Sequence, residues 1–323
     1  MKCNSIALLI LLLLLSSCKK DDNSINIDNG PKYSWTRIAD FPGSARSDGV
    51  AFSIGNFGYV GLGGTFSETY NDFYKYDPDS NTWIQLSDFV GVARNYAIAF
   101  VLGDNAYVGL GLEENGSWNG LKDLWKYDAE NNLWTQLNNF PDAKTMVASC
   151  FVVNSIAYVI TGDTTAIFEY DELNDTWTKM ADFPGDSRQY AVAFSIGSKG
   201  YFGTGYGDIV QDDLKDFWEY DPTFNQWTQL ADFPGIERQG AIGFSINGHG
   251  FIGIGGVGDF SYQDFWSYDT TDNSWFEISS YPEGNGGYSV CLTIDDIVYV
   301  GTGVFGGGSD FYFTNIFYKL EYN

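Results

Sequence analysis

The chain has one histidine, His249, in 323 residues, and that scarcity removes several chemistries at once. Ser-His-Asp and Cys-His catalysis both need an imidazole beside the nucleophile, and a copper site of mixed O and N ligands relies on imidazoles to hold the ion. His249 lies in a turn and reads as a surface residue of that turn. Bases are scarce too: 17 Lys and Arg stand against 42 Asp and Glu, a net charge of −25. Such a field repels nucleic acid and anionic membranes, so no nucleic-acid partner is expected. Proline is rare, with 8 residues, and no stretch after residue 20 has helical periodicity. The 38 glycines and 18% aromatics instead suit short strands and tight turns.

Of four cysteines, Cys3 and Cys18 lie at the N-terminus. Lys2 precedes an unbroken apolar run from Ile6 to Leu15, too short to span a bilayer as a mature helix, followed by Ser16, Ser17 and Cys18. Residues 1–17 therefore read as a signal peptide. Leu15-Ser16-Ser17-Cys18 resembles the bacterial lipobox, which implies cleavage before Cys18 and its acylation by more than one chain, enough for stable anchoring. Residues 18–31 read as the lipidated cysteine and a polar tether. The Lys19-Lys20-Asp21-Asp22 run resembles the export signal of bacterial surface lipoproteins, so the expected address is the cell envelope, as an outer-membrane lipoprotein facing outward. Loss of Lys2 leaves 16 bases against 42 acids, or −26.

The remainder, residues 32–323, is periodic. Trp35, Trp83, Trp134, Trp177, Trp227 and Trp275 follow one another at steps of 48, 51, 43, 50 and 48 residues, and a period near fifty marks a repeat architecture. Each unit divides into four strand-like runs, a to d. Run a is apolar or small on both alternating faces, as in Val50 to Ile54, and so is expected to be buried on both sides. Run b ends on glycine, as in Tyr59-Val60-Gly61. Run c ends on Asp, as in Phe73 to Asp77. Asn81, Asn132, Asp175, Asn225 and Asn273 each stand two residues before a tryptophan of run d, where a tight turn needs the left-handed conformation. The last unit ends without a run d, while Tyr33 to Ile38 is a lone run d at the front. Pairing the two completes a sixth sheet and leaves no free edge.

Tyr59, Val60, Gly63, Gly64, Asp72, Tyr76-Asp77-Pro78, Asn81 and Trp83, repeated in register over residues 33 to 323, resemble the Kelch repeat. So does the placement of Pro42 with Arg46 and of Pro234 with Arg238. The resemblance implies an all-β, six-bladed Kelch-type β-propeller whose last blade is closed by the strand around Trp35, with run a lining the central channel. The third unit departs from the pattern, with Ile160-Thr161-Gly162 and a short loop. The Kelch superfamily includes galactose oxidase, but two copper-ligating histidines cannot be found here. Cys150 and Cys291 share one register, matching Ala51, Ala99, Ala193 and Gly243, in blades that face each other across the ring. A disulfide tolerates Cα atoms no more than about 7 Å apart, so two buried free thiols are expected.

In such a propeller the d-to-a and b-to-c loops share one face, where sites gather around the channel mouth. Arg46, Arg94, Lys144, Arg188 and Arg238 occupy equivalent places before run a, with Asn285 as the sixth. They form either a basic ring for an anionic sugar or carboxylate, or a structural feature of the repeat that pairs internally. Trp118, Tyr70, Tyr206, Tyr262 and Phe311-Tyr312-Phe313 are loop aromatics that offer faces to sugars or protein side chains, or else fold back on their own blades. Glu113, Glu114, Asp208, Asp212, Asp213 and Asp259 share these loops without calcium-loop spacing, so neither metal nor cofactor is expected. The favoured reading is a monomeric, lipid-anchored, non-catalytic module that binds a glycan or protein through the loop face. The alternative is a carbohydrate-active enzyme of the sialic-acid mutarotase kind, whose fold this chain resembles although none of its catalytic residues can be aligned.

Overall fold

The computed structural model describes residues 33–113, 120–142, 147–307 and 310–322; the signal peptide, Cys18, the tether, Lys144, Glu114 and Trp118 lie outside them. Among the described residues the fold is all-β, with no helix and six four-stranded antiparallel sheets. Blade 1 runs through strand a Val50–Ile54, strand b Phe57–Gly61, strand c Phe73–Asp77 and strand d Thr82–Gln85. Strands a of the next blades are Ile98–Leu102, Ser149–Val153, Val192–Ile196, Ile242–Ile246 and Val290–Ile294. Each strand a packs beside the next, and that of blade 6 beside that of blade 1, which closes a six-bladed propeller around a channel.

Closure uses both chain ends. Tyr33–Arg37 pairs antiparallel with the final strand Phe317–Tyr322, in the register Tyr33↔Tyr322, Trp35↔Leu320 and Arg37↔Tyr318. It becomes strand d of blade 6, as the orphan tryptophan run predicts. Trp35 then packs edge-on against Phe265 and Tyr281, both with centroids 5.1 Å away.

The core lies between blades rather than within them. On strands a and b of blade 1 the directly opposed Phe52 and Tyr59 stack at 5.1 Å, and Tyr127 of blade 2 closes on them at 6.4 and 5.9 Å. Phe100, Tyr107 and Tyr170 repeat the arrangement one blade on. Aromatic pairs of this kind contribute about 0.5–1.5 kcal/mol each beyond the area they bury. Strand a is buried on this face only. Its other face, with Ala51, Ala99 and Cys150, lines the channel at intermediate exposure, so the expectation of burial on both sides holds for one of them.

The turn chemistry also joins neighbours. Asn81 adopts φ +51°, and its Oδ1 accepts hydrogen bonds from the Tyr76 hydroxyl and from the Ala39 backbone N–H, both at 2.9 Å. The Trp83 indole N–H donates to the Ala39 carbonyl at 3.0 Å. Trp227, Trp275 and Trp35 make the same bond to Ala181, Ala231 and Ser279, each on the segment that leaves the previous blade. At the end of strand b a side chain on Gly61, Gly253 or Gly301 would strike the ring of Phe73, Phe265 or Phe317 at 2.5 Å or less. Blade 3 carries Ile160 there, opposite Ile167 in place of a ring, which accommodates its departure from the repeat.

Deleting residues 31–39 removes the closing strand. The strand carries the buried Tyr33 and the partly buried Trp35, and loss of a core aromatic costs about 3–5 kcal/mol, so the melting temperature should fall by about 10 °C or more; calorimetry showing an unchanged melt would refute the closure.

Candidate functional site

The loops before strand a are held by arginine, and the arginines face inward. Arg46, Arg94, Arg188 and Arg238 are at most 3% exposed. Arg94 is representative. Its Nε donates to the Val92 carbonyl at 2.9 Å, Nη1 to the Leu110 carbonyl at 3.0 Å, and Nη1 and Nη2 to the two carboxylate oxygens of Asp123 at 2.7 Å each. Its guanidinium also lies 5.0 Å from the Phe89 ring. Arg46 with Asp72, Arg188 with Asp216 and Arg238 with Asp264 repeat the clamp. Burial pushes the Asp123 carboxyl up, but the hydrogen bonds and charge of Arg94, with the Trp125 indole N–H, outweigh it and hold the group below its usual range.

Of the two readings of the repeated arginine, the structure shows internal pairing and not a ligand-facing basic ring. These four guanidiniums have their donors occupied by carbonyls and a bidentate carboxylate, so they present no free charge to the channel mouth. In blade 6 the register places Gly286, not Asn285, at the corresponding point, bridged to Phe305. Tyr70 and Tyr262 cover clamps: their rings lie 4.3 Å from the Arg46 guanidinium and 4.8 Å from that of Arg238. Tyr206 stands opposite both Gln189 and Asp213 in a small sheet above blade 4. Tyr312 is different, being 48% exposed beside Phe305, with its hydroxyl 3.5 Å from Glu283.

A second constellation was not foreseen from the sequence. Two residues before strand a the chain turns left-handed in every blade, at Asp48, Tyr96, Val147, Tyr190, Gly240 and Tyr288, with φ between 46° and 64°. Backbone hydrogen bonds link these positions around the mouth: Asp48 N–H to Tyr288 O, Tyr96 N–H to Asp48 O, Gly240 N–H to Tyr190 O, and Tyr288 N–H to Gly240 O, at 2.8–3.1 Å. The rings of Tyr96 and Tyr190 meet edge-to-face at 5.4 Å, and those of Tyr190 and Tyr288 at 5.5 Å. The Ser47 hydroxyl donates to Asp48 Oδ2 at 2.5 Å. The only sequence signal for this ring is its fixed offset, two residues after each clamp arginine.

Burial pushes the Asp48 carboxyl up to about 7 against the opposing pull of Ser47. Burial raises all three tyrosines as well, and the Asp48 charge adds to the rise. Asp213 is pushed up to about 6 by its burial and by Asp212 and Glu237. Cys150 and Cys291 are free and line the channel, with burial pushing both thiols up to about 12. His249 opens strand b of blade 5, directly after the a-to-b turn.

Two measurements test these assignments. Arg94→Met leaves the partly buried Asp123 carboxylate without its cation, so urea denaturation should show a loss of up to about 3–5 kcal/mol, most of it recovered in Arg94→Met/Asp123→Leu; a deficit unchanged in the double variant would contradict the clamp. Asp48 holds a proton in the folded state between its unfolded value of about 3.9 and about 7, so its contribution to stability falls as pH rises through that window. Asp48→Asn should therefore be more stable than the parent at pH 8 by about 1 kcal/mol or more and equal to it at pH 4. Equal denaturation midpoints at both pH values would contradict that shift.

A scan against protein-family models returned no match, and a search of curated proteins returned none. Among solved structures, one titled "Structure of YjhT" superposes with a TM-score of 0.73 at 17% identity, covering 86% of this chain and 95% of that one. At that identity the likeness bears on the fold. With the repeat, the six sheets and the closing strand, it gives this chain the fold of a Kelch-type β-propeller.

Proposed function

We propose that this chain is a lipid-anchored propeller at the outer face of the cell envelope that binds a glycan or protein segment through its loop face without turning it over. The anchor and the address rest on the lipobox-like Leu15 to Cys18 and the run that follows it. The binding rests on one observation, a continuous aromatic rim across blades 5, 6 and 1. Phe260 is 70% exposed, Tyr312 48% and Phe66 81%. Phe66 meets Phe313 edge-to-face at 4.8 Å, which joins the loops of blades 1 and 6. The Ser261 hydroxyl donates to the Gly306 carbonyl at 2.6 Å, which joins those of blades 5 and 6. Exposed aromatic patches of this kind mark interaction surfaces, and flat ring faces suit sugars.

A carbohydrate-active enzyme on the same fold is the second reading. It draws its support from Asp48, whose carboxyl is poised near neutrality and is suited to proton transfer. The arginines such chemistry would use are already engaged in the clamps.

A glycan array probed with residues 19–323 should return binders, and anomer-exchange NMR on any reducing sugar that binds should show no acceleration. Phe66→Ala and Tyr312→Ala should each weaken the interaction by about tenfold, the equivalent of about 1.4 kcal/mol. Full affinity in both variants would place the site elsewhere, and turnover lost in Asp48→Asn would favour the enzyme.

A further inference from the structure

The loop-face end of the channel has a chemistry separate from the rim. We propose that it is a binding site for a small alkylammonium, with the head held between the Asp48 carboxylate and the rings of Tyr96, Tyr190 and Tyr288, and the tail in the channel below.

Asp48 has no counter-charge among the described residues. It is partly buried at the mouth, and among the described residues Ser47 is the one side chain that donates a hydrogen bond to its carboxylate. Arg46, two residues away, donates from both Nη atoms to the Asp72 carboxylate and from Nε to the Ser44 carbonyl. A partly buried carboxylate without a cation beside it is stabilised by protonation or by a cationic ligand. The surroundings select the kind of cation. Asp48 sits between Tyr288 and Tyr96 in the hydrogen-bonded ring, with Tyr190 opposite, and successive tyrosines are inclined at 69° and 86°. Tyrosine faces at steep mutual angles beside a carboxylate attract an organic ammonium through their negative ring faces.

Space for the ligand is built in. All four side chains keep intermediate exposure, so the site is open to solvent. Blade 5 has Gly240 in the ring, and a Cβ there would lie 2.7 Å from the Tyr288 ring, so this glycine lets that ring lie across it. On the strand side the channel opens into a cavity of about 220 Å³ lined by small side chains such as Ala51, Ala99, Ala193 and Ala241. That is large beside the roughly 30 Å³ of one water, and it suits a short alkyl chain. The net charge of −25 draws cations toward the mouth.

Calorimetric titration at pH 8 with n-butylammonium, n-butanol and butyrate, at matched ionic strength in potassium chloride, tests the site. Butylammonium should bind saturably and the other two should not. Asp48→Asn, checked for folding by its melt, should weaken it about tenfold, as should Tyr288→Leu, which keeps the carboxylate. Gly240→Ala should weaken it by displacing the Tyr288 ring. Absence of saturable ammonium binding, equal binding of butanol, displacement by potassium, or unchanged affinity in both Asp48→Asn and Tyr288→Leu would each overturn the proposal. The probes carry no sugar ring, so a failed glycan array leaves this titration standing.

Discussion

The buried arginine clamp is the interaction on which the loop face depends. One guanidinium binds the turn it belongs to, the carbonyl that follows strand b and the carboxylate that precedes strand c, so three chain segments are fixed by one side chain. A charge this deep is tolerated because the carboxylate and two carbonyls replace its lost hydration. The planar fork that makes this possible belongs to arginine; lysine has a single point of charge. The clamp recurs in blades 1, 2, 4 and 5, which makes those d-to-a loops rigid ledges. It also decides the electrostatics of the face, because four positive charges are neutralised internally and, among the described residues, Asp48 at the mouth has no ion-pair partner.

Blade cohesion follows a different rule. Each sheet contributes stacked aromatics to the gap it shares with the next, and the turn asparagine and the indole N–H reach back to the preceding blade. No blade buries its own apolar surface alone, so the ring gains stability only when it is complete. Pairing of the first strand with the last turns that dependence into a covalent-order constraint, since both ends of the chain must arrive before the sixth interface exists.

Much of this was legible in the sequence, for identifiable reasons. The tryptophan period and the unmatched Tyr33 to Ile38 run predict six blades and the closure, because strand alternation and edge avoidance are local rules. Cys150 and Cys291 fall in one register of a ring, so simple geometry predicts free thiols. The fate of Arg46 and its equivalents was not legible. The pairing acid lies 26 to 29 residues downstream, and periodicity alone does not say whether a repeated arginine faces solvent or a carboxylate. Loop aromatics have the same difficulty: Tyr70 and Tyr312 occupy comparable loops, yet one lies over a guanidinium and the other is half exposed.

The mouth ring shows where a symmetric scaffold becomes particular. Left-handed backbone costs a non-glycine residue about 1–2 kcal/mol; here the conformation recurs before strand a in all six blades, at a non-glycine residue in five of them, and again after strand b at Leu62, Leu110, Thr204, Ile254 and Thr302. Strain repeated so regularly belongs to the architecture, since a site-specific device would occur once. The blades differ only in what they place on that common backbone: an acid in the first, tyrosines in the second, fourth and sixth, valine in the third and glycine in the fifth. Alternation of rings around a six-fold frame sets neighbouring tyrosines a blade apart, close enough to touch edge-to-face across the small residue between them. The single acid takes one of the three intervening positions, between Tyr288 and Tyr96. A backbone that repeats thus supplies six equivalent directions into one space, and the side chains that break the repeat determine what that space can hold.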